Sequence, residues 1–401
     1  MSSQRQPLKI LYTAFDVVPA PKGASVRIQH MLRHLAGLEE TQVKAIVLGE
    51  PGFPARETTP EGVVIERLIA PSASFLERSV AFAESVIAAC ATFQPDVVQF
   101  RSLWDAFPLL RWREQQTHTF HTVYELHGLP EYELEHHFEN LSEALLQKVR
   151  AQQAEVLAKS DVILCPSAVH LAHLQARGVA EHKCLQVPNG VDAEHFTPPP
   201  LAENAAEADA TTVSRLVYVG TLAPWQGLEH LLEALALLPV PFQLQLIGKG
   251  QRRWVRDLLT RAFQLHLSHA IDMVGPMPYA MVPAFIQQAD IALAPLDTSK
   301  RNCVQGCMPL KILEYMACGR AIVASDIAVN RALLSHEHNA LLYPAENASA
   351  LAATLERLIR DPVLRNRLGA QARQDAQQHH AWQAGFQSIS DLYAGFVPSG
   401  A

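Results

Sequence analysis

The 401-residue sequence contains no apolar run long enough to cross a bilayer, which takes about 18 consecutive apolar residues. Residues 1–20 also lack the positively charged start, apolar stretch and cleavage site of a secretory signal. Nothing therefore predicts export or insertion into a membrane. We expect a cytoplasmic protein with no transmembrane segment, and we leave peripheral contact with a membrane open.

Positive charge is not in excess either. The chain has 33 Lys and Arg against 40 Asp and Glu, a formal net charge of -7, and no basic run. Proteins that bind nucleic acid by neutralising phosphates need the opposite balance, so we expect no nucleic-acid partner. The 49% apolar and 18% charged shares are typical of a soluble globular enzyme.

Disulfide and metal-binding patterns are missing too. The 6 cysteines are scattered, which is typical of reduced and mostly buried thiols. There is no CxxC pair, no Asp-x-Asp, and no pair of histidines with a glutamate at helical spacing, so we predict no metal site. The stretch GKGQRRW lacks the third glycine of the dinucleotide fingerprint, and no G-x-S-x-G elbow is present.

The sequence does contain a regular alternation of short buried strands and amphipathic helices. The first half carries KILYTAF, VKAIVLG, DVVQF, HTVYELHG, DVILC and KCLQVP, and the second carries RLVYVG, FQLQLIG, AIDMVG, DIALAPL, AIVASD and NALLYP. Such alternation predicts parallel strands with crossover helices. With this length, it predicts an α/β protein of two doubly wound domains.

A stretch rich in proline, alanine and acidic residues, 196–214, predicts a surface linker. We therefore place the boundary near 193, with domains at 1–192 and 193–380 and a final helical segment at 381–401. Helices are also predicted from Ser349 to Gln378. Because ligands bind at the carboxyl ends of parallel strands, we expect the site in a cleft between two facing domains.

The strongest motif is PLKILEYMACGRAIVASD at 309–326. Pro309 suits the first helical position and Gly319 the left-handed residue past the end, which predicts a helix from Pro309 to Cys318. Lys311 then lies in the first turn, where free N–H groups carry partial positive charge. A cation there is unfavourable unless an anion binds between them, so we predict an anion site.

The same helix carries Glu314 three residues after Lys311, and the loop before it, 297–308, contains Gly306. A phosphate on Lys311 and the helix start, with a sugar hydroxyl on Glu314, is a coherent assignment. The alternative is an ordinary solvated Lys/Glu pair on one helix face.

Three other loops follow predicted strands. In LYTAFDVVPAPKGASVRIQ, Gly23 lies at the turn and Ser25 is the expected N-cap, so this is either a phosphate-facing loop or a plain strand-to-helix connection. YELHG places His127 directly after a strand, where it is either a site residue or a packed histidine. VYVGTLAPWQGLEHLLEA places Gly220 and Thr221 after another strand.

Taken together these motifs resemble the retaining glycosyltransferases of the GT-B fold, glycosyltransferase family 4 (glycosyl transferases group 1). The resemblance spans almost the whole chain through PKGASVRI, PDVVQFRS, YELHG, VPNGVDAEHFTP, VYVGTLAPWQGLEHLLEA and, most specifically, PLKILEYMACGRAIVASD. It implies two Rossmann-like domains, an acceptor-binding N-terminal half, a donor-binding C-terminal half and a last helix that returns to the first domain. It also implies no metal and no cofactor other than the donor substrate.

The resemblance further implies site residues. Glu314 matches the carboxylate that binds ribose, and His127 matches the histidine near the donor sugar. His127 is therefore one candidate catalytic residue, and Lys311, from its place in the first helical turn, is the other. The other positions implied to bind the donor are Gly23, Ala24, Gly220, Thr221, Gln226, Val274, Gly275, Arg301, Gly306, Cys307, Met308, Pro309 and Leu310. Gly23 matches the loop that faces the diphosphate, and Val274 and Gly275 match the segment beside the base.

The sequence departs from the family pattern at its usual cations. The G-R-L-x-x-x-K-G motif is here Gly220 to Gly227, with Thr221 and Gln226 where arginine and lysine are usual, and the first glutamate of Glu-x7-Glu falls on Gly306. Lys311, together with Lys300 or Arg301, is then the remaining positive charge.

The function implied by the resemblance is transfer of a sugar from a nucleoside diphosphate, UDP- or GDP-linked, to a hydroxyl of a sugar, glycan or lipid-linked acceptor with retained anomeric configuration, as in polysaccharide biosynthesis. Two alternatives stay open at this point. One is an epimerase or hydrolase of nucleotide sugars with the same fold, and the other is a nucleotide-binding protein of this fold without catalysis.

Overall fold

The computed structural model describes residues 6–138, 141–199 and 213–397, which form two compact units. Within these residues the first unit contains Ala24–Pro188 with 6–20 and 386–397, and the second contains Asn189–Gly385 with Pro21–Gly23. No helix in this part of the chain combines the length and the apolarity needed to cross a membrane.

The first unit is built on an eight-stranded sheet in the order β3-β4-β2-β1-β5-β6-β7-β8. All neighbours are parallel except β3 and β4. The strands are β1 Leu8–Val17, β2 Thr41–Leu48, β3 Arg56–Thr58, β4 Val64–Leu68, β5 Val97–Phe100, β6 His121–Glu125, β7 Val162–Cys165 and β8 Cys184–Gln186. The helices are α1 Gly23–Ala36, α2 Phe75–Phe93, α3 Leu103–Arg113, α4 Pro130–His137, α5 Glu143–Lys159 and α6 Ala168–Ala176.

The second unit is built on a six-stranded parallel sheet in the order β11-β10-β9-β12-β13-β14. The strands are β9 Ser214–Val219, β10 Phe242–Ile247, β11 Ile271–Gly275, β12 Ile291–Ala294, β13 Ala321–Ser325 and β14 Leu341–Tyr343. The helices are α7 Leu228–Ala236, α8 Arg252–Gln264, α9 Val282–Gln288, α10 Leu310–Ala317, α11 Ala328–Arg331, α12 Ala348–Arg360 and α13 Pro362–His379. The last helix, α14 Trp382–Ala394, belongs to the first unit from Phe386 onward.

Both faces of the second sheet are buried, as a doubly wound sheet requires. In β9, Leu216 and Tyr218 belong to one buried cluster and Val217 and Val219 to another. Successive side chains of a strand point to opposite faces, so both faces of this central strand are buried. This explains why such strands read as continuous apolar runs.

Every strand expected from the sequence is present, and the structure adds β3 and β4. The prediction missed β3 because it is three residues long and mostly exposed, with no apolar pattern to detect. It pairs antiparallel at the edge of the sheet.

Two local predictions are wrong. Ser25 is not an N-cap, because α1 already begins at Gly23; the Ser25 hydroxyl instead accepts a hydrogen bond from the Ala20 N–H at 2.8 Å. The predicted linker 196–214 is not wholly a surface loop, since Phe196 is fully buried and Ser214 begins β9. Residues 200–212 of that stretch lie outside the described residues.

The strand order changes direction between β1 and β5 in the first unit and between β9 and β12 in the second. At such a switch point the loops that follow the two strands leave in opposite directions and open a crevice. In the second unit these loops are 220–227, after β9, and 295–309, after β12. Both contain motifs that the sequence alone singles out.

The two switch-point loops of the second unit touch at Gly227. This residue has φ +68, and a Cβ built on it would lie 1.8 Å from the Pro295 carbonyl oxygen. Only glycine fits, because a side chain would meet both a strained backbone conformation and a rigid backbone atom.

We therefore expect Gly227→Ala to lower the thermal unfolding midpoint much more than Gly275→Ala. Gly275 has φ +82 but nothing within 4 Å of the position that a Cβ would take, so its substitution meets only the cost of a left-handed alanine, about 1–2 kcal/mol. Calorimetric scans of the two variants against wild type measure the difference. Equal shifts would mean that the contact with Pro295 is not restrictive.

Candidate functional site

The candidate site in the second unit is centred on the start of α10. Pro309 has extended backbone angles and is the N-cap, and Cys318 is the C-cap, so the helix is one residue shorter at each end than predicted. Gly319 has φ +63, the left-handed conformation expected of it. Lys311 is therefore the second helical residue, in the turn whose N–H groups have no partner within the helix.

The Lys311 side chain is buried, with 9% of its surface exposed, and its ammonium group has neutral acceptors. Nζ donates to the Gln226 side-chain oxygen at 2.5 Å and to the Tyr218 hydroxyl at 2.9 Å. It also lies 4.0 Å from the centre of the Tyr218 ring, within range of a cation–π interaction. The alternative of a solvated surface lysine is thereby excluded.

Gly220 makes room for this lysine. A Cβ at Gly220 would lie 2.9 Å from Lys311 Nζ and 3.2 Å from the Tyr218 hydroxyl oxygen. The next residue, Thr221, is exposed, and its carbonyl oxygen lies 2.7 Å from the same hydroxyl. Gly220, Thr221, Gln226 and Lys311 are thus brought together as the sequence indicated.

Burial dominates the acid–base properties of the helix start. It lowers the pKa of Lys311 to about 7, because an ammonium group loses hydration there. It raises the pKa of Glu314 to about 7, against a hydrogen bond from Tyr279 and the positive charge of Lys311, which both favour the carboxylate. An acid and a base with perturbed pKa values on one short helix mark a candidate functional site.

The loop before α10 contains a short π-helical segment, Arg301–Gln305. The Arg301 guanidinium lies 5.1 Å from the centre of the Trp225 ring. The Asn302 side chain donates to the carbonyl oxygens of Trp225 and Asp297, at 2.8 and 3.1 Å. Arg301 contributes to the lowered pKa of Lys311, so the two cations lie near one another.

The segment from Gly306 to Leu310 leads from this loop into the helix. Gly306 has φ +84 and ends the π-helical segment. Cys307 is half-buried, and burial raises the pKa of its thiol. The Met308 carbonyl oxygen accepts from the Asn189 side chain at 2.7 Å.

Gly23 belongs by its contacts to the second unit, whereas Ala24 belongs to the first. A Cβ at Gly23 would lie 3.0 Å from the Leu310 side chain, so this exposed glycine approaches the start of α10 closely. Val274 and Gly275 lie at the end of β11, the edge strand of the second sheet. Within the described residues, neither is among the hydrogen-bond partners of the Lys311 side chain.

In the first unit, His127 follows β6 as predicted and is partly buried, with 23% of its side chain exposed. Its Nε2 lies 2.8 Å from a carboxylate oxygen of Glu125. Burial, with the nearby guanidinium groups of Arg101 and Arg27, lowers the pKa of His127 to about 3. The imidazole is neutral at physiological pH.

Sequence reasoning missed several residues of these sites. The Tyr218 hydroxyl accepts a hydrogen bond from Lys311, and the Trp225 ring contacts the Arg301 guanidinium. Tyr279 is hydrogen-bonded to Glu314, and the Glu125 carboxylate lies 2.8 Å from His127 Nε2. Tyr218 and Glu125 lie in strands that read simply as buried. A charged residue inside a buried strand is a signal that could have drawn attention to Glu125.

No cluster of three or more His, Cys, Asp or Glu side chains suited to a metal ion occurs within 6–138, 141–199 and 213–397. All six cysteines are free thiols. Cys90, Cys165 and Cys318 are buried, Cys184 and Cys307 are half-buried and Cys303 is exposed, so only half of the thiols are buried as expected.

Two family models match the chain. Residues 21–195 match Glycosyltransferase Family 4, and residues 203–375 match Glycosyl transferases group 1. The D-inositol 3-phosphate glycosyltransferase of Jonesia denitrificans is 29% identical over 246 residues, 58% of this chain and 55% of that protein. The amylovoran biosynthesis glycosyltransferase AmsK of Erwinia amylovora is 27% identical over 218 residues, 53% of this chain and 51% of that protein. The chain spans about half the length of these curated relatives.

Solved structures share the fold over the whole chain. The sucrose-phosphate synthase of Thermosynechococcus elongatus superposes with a TM-score of 0.79 at 20% identity, covering 99% of this chain and 100% of that one. Anabaena HepE in its complex with UDP and glucose gives 0.75 at 16% identity, covering 97% and 100%. The two doubly wound units are the GT-B architecture expected from the sequence, and the chain belongs to glycosyltransferase family 4, the glycosyl transferases group 1.

Proposed function

We propose that this protein transfers a sugar from a nucleoside diphosphate to a hydroxyl acceptor, with retention of configuration and without a metal ion. The observation that carries the proposal is the buried ammonium group of Lys311, held by neutral oxygens in the first turn of α10. A buried cation is unfavourable without an anion. A diphosphate at this helix start supplies that anion.

The relatives support a nucleotide-sugar donor. HepE was solved with UDP and with UDP-glucose, and starch synthase IV of Arabidopsis thaliana with ADP and acarbose. We propose that a nucleotide-sugar donor binds the second unit of this chain. Its diphosphate lies at Lys311 and the α10 N–H groups, its ribose hydroxyls at Glu314, and its base beside Val274 and Gly275.

In such a reaction the leaving diphosphate gains negative charge as the glycosidic bond breaks. Fixed donors aimed at that charge lower the barrier, because they need no reorganisation at the moment of reaction. Lys311, the first N–H groups of α10 and the nearby Arg301 are such donors. They replace the cations that the family has at Thr221 and Gln226. We assign no general base, and His127 is proposed to orient the donor sugar.

The reaction itself is tested with a panel of UDP-, GDP- and ADP-linked sugars, each radiolabelled in the sugar, together with hydroxyl acceptors. We expect label in a glycoside product of retained anomeric configuration, with release of nucleoside diphosphate. An epimerised nucleotide sugar or free sugar would identify an epimerase or a hydrolase. Binding without any turnover across the panel would favour a nucleotide-binding protein without catalysis.

Metal independence is tested in the same assay. Because protein groups supply the positive charge, we expect transfer to continue at an unchanged rate in excess EDTA. Loss of transfer in EDTA with recovery on adding Mn²⁺ or Mg²⁺ would show that a cation, rather than Lys311, stabilises the leaving group.

We expect Lys311→Met to weaken binding of nucleoside diphosphate strongly and to leave the binding of the unphosphorylated nucleoside unchanged. A charge pair at about 4 Å and an effective dielectric near 20 has a Coulomb energy of about 4 kcal/mol before desolvation, so a net loss of about 1–2 kcal/mol is expected. Titration calorimetry measures it. Lys148→Met is the control, because Lys148 is an exposed lysine in α5 of the first unit; an equal loss in both variants would contradict the role of Lys311.

The lowered pKa of Lys311 adds a second readout. A bound anion favours the ammonium form, so diphosphate binding at pH 7.5 should take up protons in wild type but not in Lys311→Met.

The same pKa makes the stability of the ligand-free protein depend on pH. The unfolded chain holds the lysine proton up to its ordinary pKa of 10.5, so the Lys311 contribution to the free energy of unfolding rises with pH from about 7 to 10.5. This pH dependence of stability should disappear in Lys311→Met.

In Glu314→Gln, by contrast, the binding of nucleoside and the binding of nucleoside diphosphate should weaken equally, because both ligands contain the ribose that Glu314 is proposed to bind.

A further inference from the structure

Helix α8, Arg252–Gln264, packs on the second unit through one side only. Leu258 and Ala262 are buried in a core cluster of that unit, and the half-buried Val255 packs against the same cluster. These side chains explain how the helix is held in the fold. They leave the rest of its surface to solvent.

The exposed part of α8 includes a row of residues with the i, i+4, i+7 and i+11 spacing of one helix face, Arg252, Arg256, Leu259 and Phe263. All four are exposed, and Phe263 and Leu259 expose 74% and 45% of their surfaces. We call these four residues the α8 row. It extends over about 16 Å, and an open groove of about 620 Å³ lies along it.

Positive charge is concentrated around the α8 row. Residues 249–271 contain five Lys and Arg against one acidic residue, in a chain whose formal net charge is -7. The cations are Lys249, Arg252, Arg253, Arg256 and Arg261, and the acid is Asp257. Arg256 is hydrogen-bonded to Asp257 at the surface. Because exposed ion pairs of this kind are weak, they do not hold the arginine away from another anion.

Exposed apolar side chains between arginines suit the surface of a bilayer that contains anionic lipid. Lys and Arg are attracted by the lipid phosphates, and apolar side chains enter the boundary between headgroups and acyl chains. Each cation near such a surface strengthens binding about fivefold. The α8 row combines both contributions on one face.

Other occupants match this face less well. Two copies of the α8 row in a symmetric contact would bring like charges together. A nucleic acid would pair with the arginines through its phosphates, but those contacts leave the aliphatic side chain of Leu259 in water. A bilayer surface accommodates the arginines and the apolar side chains together.

We propose that the α8 row docks on the surface of a membrane that contains anionic phospholipid, with Leu259 and Phe263 between the headgroups and the arginines on the lipid phosphates. The peripheral membrane contact that the sequence leaves open then takes place through the second unit. The inference goes beyond the proposed function, because docking requires neither a donor nor an acceptor.

Docking is tested by flotation of the full chain with phosphatidylcholine vesicles, with or without about 30% phosphatidylglycerol as the anionic lipid. We expect flotation only with the anionic vesicles, and release at about 1 M salt, where the Debye length falls to about 3 Å. Equal flotation with both types of vesicle, or none with the anionic vesicles at low salt, would overturn the proposal. No enzymatic turnover is needed, so failure of the proposed function leaves this result standing.

Soluble competitors distinguish a membrane surface from other anion sites. Glycerol 3-phosphate carries a phosphate without a bilayer, and we expect that millimolar concentrations of it do not release the protein from anionic vesicles. Release would identify an ordinary phosphate site. Binding of a single-stranded RNA oligonucleotide as tightly as the vesicles would identify a nucleic-acid surface, and either result would overturn the proposal.

The apolar contribution is tested with the double variant Leu259→Ser and Phe263→Ser. Both side chains are exposed, so the unfolding midpoint should stay close to that of wild type, while affinity for anionic vesicles should fall by about 10-fold or more. Leu76→Ser with Val80→Ser is the matched control, because these residues form an exposed apolar pair of the same spacing in α2 of the first unit. An equal loss in the control would place the lipid contact on the first unit and overturn the proposal.

The electrostatic contribution is tested with Arg252→Gln combined with Arg256→Gln. At about fivefold per cation, affinity for anionic vesicles should fall about 25-fold and depend less on salt. Arg357→Gln with Arg360→Gln makes the same change in net charge in α12, where both arginines are exposed and paired with glutamates. We expect this control to bind nearly as wild type does. Wild-type affinity in the α8 variant, or an equal loss in the two variants, would overturn the proposal.

Discussion

The arrangement of the second unit depends on one buried cation. Lys311 has an ammonium group that burial disfavours, and its closest partners are neutral oxygens of Gln226 and Tyr218. Neutral acceptors solvate a cation but do not cancel its charge. We propose that an anion at the first turn of α10, whose N–H groups carry partial positive charge, completes this site.

Two glycines make that arrangement sterically feasible. Gly220 gives Lys311 Nζ the space that a side chain would fill, and Gly227 lets the loop after β9 meet the carbonyl oxygen of Pro295 after β12. Both lie at the switch point of the second sheet, where the topology opens a crevice. The topology places both loops at the switch point, and the two glycines allow the close approaches of Lys311 Nζ and of the Pro295 carbonyl oxygen there.

In the first unit, the buried charge of Glu125 has partners of opposite charge, unlike that of Lys311. Glu125 is fully compensated by two guanidinium groups and by neutral donors, so its ionisation is stabilised in the free protein. A network satisfied at every member is rigid and gives its neighbours defined hydrogen-bonding roles. Here the carboxylate lies 2.8 Å from His127 Nε2, and burial with the two guanidinium groups lowers the pKa of His127 to about 3. The contrast with Lys311 lies in the partners: the carboxylate of Glu125 meets two cations, whereas the ammonium group of Lys311 is hydrogen-bonded to neutral oxygens.

The sequence by itself determined the strands other than β3 and β4, the doubly wound class, the helix before Gly319 and the family, because these depend on local periodicity, turn residues and short motifs. It also placed Lys311 in a first turn and His127 after a strand. It could not give their partners. Lys311 meets Gln226 across 85 residues and Glu125 meets Tyr12 across 113, and such pairs exist only after strands distant in sequence become neighbours. Only the tertiary structure decided which cation is buried and which carboxylate lies beside His127, because burial and the charges around a group, rather than its place in the sequence, set its protonation.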